Sequence, residues 1–275
     1  MTCLPGFWTH ILYGSDVLQT VGLDLDGKGR DYFNLGCLFT DPCRYCSKET
    51  PEFLLWRLSH TLKCGSFADA LCRELEGFSR FYVIGVFTHY YLDAIANCYI
   101  VARAGNSYKR EQLEIAIDKT ILRQRTGSDI LRLEPGAELP DGSTTEIEEA
   151  FASIARGVYG LEGVSFSRAL NNMNSTFQMF YRKKGMLLFL RKIFLKNERP
   201  EKAYFTDTHI DPLNHETRPW FHSIAGWESK ETFERLYERA IEELGEFLAA
   251  YLDGRKDWSL PALSLTTGLP LMETL

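Results

Sequence analysis

One stretch, Phe81–Ala102, constrains this chain more than any other. It is the most apolar run in the sequence and long enough to suggest a membrane span, yet His89, Asp93 and Asn97 sit inside it. Polar and ionisable groups at bilayer depth are costly, so the run reads as a buried helix and not as a transmembrane segment. A helix apolar nearly all round has to be covered by other elements on every side.

The rest of the sequence supplies helices to cover it. Pro51 stands at the start of a run in which Phe53, Leu54, Leu58 and Leu62 recur at three- and four-residue steps. Gly65 is expected to end that helix and Ser66 to cap the next, Phe67–Leu75. The central helix spans Phe81–Arg103, and Ser107–Arg125 follows with Leu113, Ile115, Ile117 and Ile121 on one side. Leu133–Thr145, with two prolines and two glycines, reads as an exposed loop. Helix resumes at Thr145, where Glu146, Glu148 and Glu149 favourably oppose the helix dipole, and breaks at Gly160–Gly163. A long helical stretch from about Ser165 to Lys196 ends before Pro200, and Lys230–Leu252 forms a last amphipathic helix. No set of alternating β-branched runs and no internal repeat is visible. The expectation is an all-α single domain over residues 1–275, with a metal-binding part at about 1–126 and a C-terminal helical part at about 145–275.

Composition excludes several classes. With 45% hydrophobic and 13% aromatic residues the chain can fill a core and is not predominantly disordered. A net charge of −6 suits non-specific nucleic-acid binding poorly. The N-terminus lacks the basic-then-apolar pattern of a secretion signal. The seven cysteines are an odd set without framework spacing, as expected of reduced thiols in a cytoplasmic protein.

His89 and Asp93 are the sharpest chemical feature. Four residues advance a helix by slightly more than one turn, so both side chains leave nearly the same face. An imidazole and a carboxylate so placed can grip one divalent cation; the plainer alternative is a core histidine bonded to an aspartate. Buried aspartate is rare without a partner or a metal.

The order "FWTH", "FNLG…TDP", "SHT…GSF", "GVFTHYYLD" and "LEIAID", from Phe7 to about Asp118, resembles the zinc-dependent phospholipase C family. The likeness returns weakly at Asp211–Trp220 and Thr266–Pro270. It implies the all-α architecture that this family shares with single-strand-specific zinc nucleases. Carried over, it assigns Asp41, His60, His89 and Asp93 to one zinc, and His10 to a second bridged by Asp93. It implies hydrolysis of a phosphate ester by a metal-bound hydroxide, with Asp41 the first candidate to orient or deprotonate the water. The substrate would be a phosphodiester or phosphomonoester, a phospholipid or its head group among them. The rival is a degenerate, non-catalytic member with a structural metal or a partner-binding role.

Two departures from the family pattern matter. Its third metal site would fall on Asn97, Arg110 and Glu114, and an arginine does not ligate zinc because it stays protonated. Two zincs are therefore expected, with the third site lost. Arg110 either helps hold a substrate phosphate or pairs with Glu114 on a helix surface. Secreted members also complete the second zinc with a processed terminal tryptophan, whereas His10 here follows Met1 by nine residues; Trp8 reads as packing.

Three further features invite a functional reading against a plainer one. Cys43-Arg-Tyr-Cys46 has CxxC spacing but lacks a second pair or a βα context, and chance is the simpler account. His209, His215 and His222, with Asp207 and Asp211, either line a substrate mouth or belong to an ordinary polar loop. Arg182–Lys184, Arg191, Lys192 and Lys196 flank the apolar run Met186–Leu190. That pattern fits peripheral contact with an anionic lipid surface, or more simply a solvated helix face.

Overall fold

The computed structural model describes residues 6–104, 107–128, 144–179 and 211–271. Helix α5 (Arg80–Ala104) is the axis of the molecule, buried along almost its whole length from Tyr82 to Ile100. Around it stand α1 (Phe7–Thr20), α2 (Gly27–Leu38), α4 (Cys64–Leu75), α6 (Ser107–Thr126) and α9 (Phe233–Leu252), while α3 (Pro51–Thr61) packs on α4 and α7 (Thr145–Tyr159) packs on both. A further helix, α8, covers 166–179. The only strands among the described residues are β1 (Trp220–Phe221) and β2 (Glu228–Ser229), an antiparallel pair. The protein is all-α, and no helix among the described residues is long and apolar enough to cross a membrane.

Local chemistry sets most helix starts. Asp26, Thr50, Thr144 and Thr232 each accept a hydrogen bond from the backbone N–H three residues on, satisfying one of the otherwise unpaired amides of a first turn. Gly160, at φ 68°, closes α7 as expected.

The α3–α4 junction departs from expectation. Leu62 is extended, Lys63 takes a left-handed conformation (φ 48°, ψ 37°), and α4 begins at Cys64, so Gly65 lies inside the helix and Ser66 does not cap it. Gly65 serves packing: a Cβ there would stand 3.1 Å from the Pro261 carbonyl oxygen. Helices α1 and α2, which periodicity did not single out, form the wall beside α5.

Helices α2 and α5 approach each other backbone to backbone. A Cβ on Gly36 would lie 2.1 Å from the Tyr82 carbonyl oxygen, and one on Gly85 2.3 Å from that of Phe33. Only a pair of glycines lets these backbones touch. On its other side α5 is sealed by aromatic contacts, with the Phe87 ring 4.9 Å from Phe247, 5.1 Å from Tyr251 and 5.2 Å from Trp258.

The C-terminal segment returns to brace the centre. Thr266 donates its N–H and its hydroxyl to the His60 carbonyl at 3.1 and 3.2 Å. Asn97 donates to the Leu265 carbonyl at 2.9 Å, and a Cβ on Gly268 (φ 70°) would meet the Ala94 carbonyl at 2.4 Å. Residues 211–271 therefore share one core with the N-terminal helices.

The second half of the Ser165–Lys196 stretch, its basic and apolar clusters, most of the Leu133–Thr145 loop, Asp207, His209 and Cys3 lie outside the described residues.

Candidate metal centre

Five side chains from four different elements converge. His10 comes from α1, Asp41 from a 3₁₀ turn (Asp41–Tyr45), His60 from the last turn of α3, and His89 and Asp93 from successive turns of α5. The turn reaches Asp41 because Phe39 holds a positive φ of 46°, an unusual conformation for a bulky residue, and reverses the chain as α2 ends. The Phe39 ring then backs the imidazole of His89, centroids 5.4 Å apart.

Hydrogen bonds fix which nitrogens face inward. His89 Nδ1 lies 3.0 Å from the Cys37 carbonyl and His60 Nδ1 lies 2.7 Å from the Trp56 carbonyl. A carbonyl only accepts, so both Nδ1 atoms carry the proton, and in the neutral rings each Nε2 presents a lone pair to the centre. This is the outer-shell arrangement that orients metal-binding imidazoles.

What those lone pairs meet is more acceptors. His60 Nε2 is 3.4 Å from His89 Nε2, both are 3.4 Å from Asp93 Oδ2, and His60 Nε2 is 3.6 Å from Asp41 Oδ1. Four acceptors facing one another repel unless a cation or a proton stands among them. Ligands held at 2.0–2.1 Å around a tetrahedral zinc are about 3.4 Å apart, which is the spacing found. The donor set, imidazole nitrogen with carboxylate oxygen, is also one that zinc accepts.

Asp93 faces two ways. Its Oδ2 points to His60 and His89, while Oδ1 lies 3.3 Å from His10 Nε2. His10 stacks on His89 with centroids 4.2 Å apart, and its Nδ1 is buried without a hydrogen-bond partner among the described residues. One carboxylate thus spans two sets of imidazoles, the arrangement needed to bridge two cations.

Electrostatics in the metal-free protein follow the same logic. Burial lowers the proton affinity of His89, but the charge and hydrogen bond of Asp93 outweigh it and raise the imidazole from 6.5 to about 8. Burial favours protonation of Asp93, and the imidazoles of His89 and His10 overcome it, holding its carboxyl well below the usual range. A proton does in part what a cation would do there.

Asp41 is held by the indole of Trp56, whose Nε1 donates to Oδ1 at 3.2 Å. His10 is placed indirectly. Asp118 on α6 is fully buried and accepts from the Thr9 N–H at 2.8 Å, the Thr9 hydroxyl at 2.5 Å and the Trp8 N–H at 3.4 Å, tethering the first turn of α1. Burial outweighs these hydrogen bonds and lifts its pKa from 3.8 to about 7.

A raised folded pKa means that folding takes up a proton. The stabilisation from that proton is fully present below about pH 4 and is lost as pH rises through about 7. Asp118→Asn, which mimics the protonated acid, should remove this dependence. In urea titrations at pH 5 and pH 8 the wild type should lose more stability than the variant, by up to about 3 kcal/mol. Parallel profiles would contradict the raised pKa.

The cavity in front of the centre is lined by His10, Asp41, His60 and Asp93 and also by Arg44, Trp56, Asn97, Arg110 and Glu114. Glu114 is buried between two guanidinium groups, with Arg110 Nε at 2.7 Å and Arg44 Nη1 at 3.2 Å. The Arg110–Glu114 ion pair expected on a helix surface therefore exists inside the cavity. Asn97 spends its amide on Leu265. Sequence reasoning missed Arg44, although it stands inside the CxxC spacing, because nothing marked it as cavity-facing. It also missed Trp56, the carbonyls of Cys37 and Trp56, and the tether on Asp118.

The other candidates resolve to structure. Cys43 and Cys46 are unbridged and buried; burial pushes the Cys43 thiol well up, and Cys46 accepts from Asn172 at 3.3 Å. Neither environment favours a reactive thiolate. His222 donates Nε2–H to the Thr267 carbonyl at 2.8 Å and accepts two backbone N–H bonds at Nδ1, stapling the β-hairpin to the C-terminal segment. His215 pairs with Glu234 at the surface.

No protein-family model matches this chain, no curated protein matches it in sequence, and no solved structure matches it in fold.

Proposed function

We propose that the protein is a zinc-dependent phosphoesterase resembling phospholipase C. The observation that carries this reading is the meeting of three imidazoles and two carboxylates at metal-ligand spacing, at the floor of an open cavity. Asp41, His60, His89 and Asp93 Oδ2 would hold one cation, and His10 with Asp93 Oδ1 a second. Zinc bound there would neutralise charge on phosphoryl oxygens and supply a nucleophilic water at neutral pH.

The protein's own residues do the rest. The carbonyls of Cys37 and Trp56 hold His89 and His60 in the tautomer that leaves Nε2 facing the cavity side. On the His10 side Asp93 Oδ1 and Asp41 are the carboxylates within reach, and the remaining positions would be left to water and substrate. Asp41 binds the indole through Oδ1, and its Oδ2 makes no hydrogen bond among the described residues, which suits it to receive a proton from the attacking water.

A second reading, a structural metal without catalysis, draws on the same geometry. Asp41, His60, His89 and Asp93 suffice to fill four positions, as closed structural sites do. Metal content by mass spectrometry, on protein purified without an affinity-metal column, tests the first step. Turnover of bis(p-nitrophenyl) phosphate and a phosphorylcholine ester tests the second. The proposal expects two zincs per chain and turnover that a chelator removes and zinc restores. Zinc without turnover on either ester would favour the structural reading, and protein that takes up no zinc would sink both.

A further inference from the structure

We infer that Arg110 and Arg44 form an anion clamp that holds the phosphoryl group of the substrate beside the metal centre. The inference rests on the phosphoesterase reading and names the group that the cavity recognises.

The cavity wall carries three carboxylates, Asp41, Asp93 and Glu114, against two guanidinium groups. Without metal the carboxylates of the wall outnumber its guanidinium groups. A single divalent cation makes the guanidinium groups and the metal together outweigh the carboxylates, and a second adds to it.

The guanidinium groups are prepared for an anion in two ways. Glu114 is a shared buttress whose side chain is only 5% exposed, and it takes one bond from each arginine. Arg110 uses Nε there, so its terminal amino groups make no hydrogen bond among the described residues. Arg44 is braced from behind by the face of Trp56, 5.3 Å from its ring centroid, and Trp56 in turn holds Asp41. Rigid, partly desolvated arginines are suited to phosphate oxygens, since the planar fork loses little freedom on binding. Arg44 also lies 3.9 Å from Glu111 through Nη2, so of the two guanidinium groups it is Arg110 whose terminal amino groups are left to meet an anion.

The test uses inorganic phosphate as probe, by titration calorimetry on the full chain with zinc content measured in each sample. Wild type should bind phosphate only when zinc-loaded. Arg110→Gln should weaken binding about tenfold or more at unchanged zinc content, as loss of a charge-assisted bond does. Should Arg110→Gln fold poorly, Arg110→Lys, which keeps the charge and loses the fork, should still weaken binding measurably.

Glu114→Gln separates the clamp from a merely structural role. It removes a competing negative charge and keeps an acceptor, so phosphate should bind more tightly, by about threefold or more. Arg110→Gln within twofold of wild type, with zinc intact, would overturn the clamp and leave the metal centre standing. Equal weakening by Glu114→Gln would also overturn it, since the cluster would then act only to hold the wall. Absence of zinc uptake in every sample would remove the metal reading and the clamp together.

Discussion

Asp93→Asn should abolish zinc binding and phosphodiester turnover together. One carboxylate faces His60 and His89 through Oδ2 and His10 through Oδ1, so a single amide substitution weakens both halves of the centre. Loss of at least about a thousandfold in turnover is expected, the equivalent of about 4 kcal/mol. The fold itself should persist, because asparagine matches the shape and the imidazoles can discharge. Far-ultraviolet dichroism and zinc content on the same sample separate the outcomes. A variant that binds no zinc and is unfolded would favour a structural metal; a folded variant that keeps both zinc and turnover would refute the assignment.

The same substitution should invert a pH profile in chelator. In the metal-free wild type His89 is raised to about 8 against an unfolded value of about 6.5. Its contribution is therefore fully present below about pH 6.5 and is lost as pH rises through about 8. Without Asp93 the largest remaining influence on His89 is burial, which depresses it. The variant should then gain stability as pH rises from 6 to 8, where the wild type loses the part owed to His89.

The residues that converge at the candidate centre are legible in the sequence because few residue types can hold a metal. An imidazole and a carboxylate one helical turn apart on α5 stand out within an apolar run, whereas Asp41, His60 and His10 come only from the resemblance to the zinc-dependent phospholipase C family. What orients those side chains is not legible. The Cys37 and Trp56 carbonyls are main-chain atoms, and every residue has one. Asp118 reads as one more charge on an amphipathic helix, and only the packing of α1 against α6 brings it to the amides of Trp8 and Thr9. For Arg110, helical spacing gives a partner, Glu114, but not the side on which the pair lies, so a surface ion pair and a phosphate contact read alike. Gly65 shows the same limit: a glycine placed for close approach looks identical to one that ends a helix.

Gly36→Ala tests whether the α2–α5 crossing sets the site. The added Cβ would lie 2.1 Å from the Tyr82 carbonyl oxygen and 3.0 Å from the Gly85 Cα. Both obstacles are backbone within a buried helix, so neither can rotate aside, and the two helices must separate. Overpacking against side chains costs about 1–3 kcal/mol; against fixed backbone the loss should exceed about 3 kcal/mol, enough to lower the melting temperature by several degrees or more. The displacement also falls on function, because the carbonyl that orients His89 belongs to Cys37, the next residue along α2. Gly36→Ala should therefore bind zinc more weakly even under conditions where it is still folded. Gly77→Ala, at a position where an added Cβ meets nothing within 4 Å, is the control and should change neither property. Wild-type stability in Gly36→Ala would mean that the helices do not approach as closely as this crossing requires, and the placement of His89 against Cys37 would have to be given up with it.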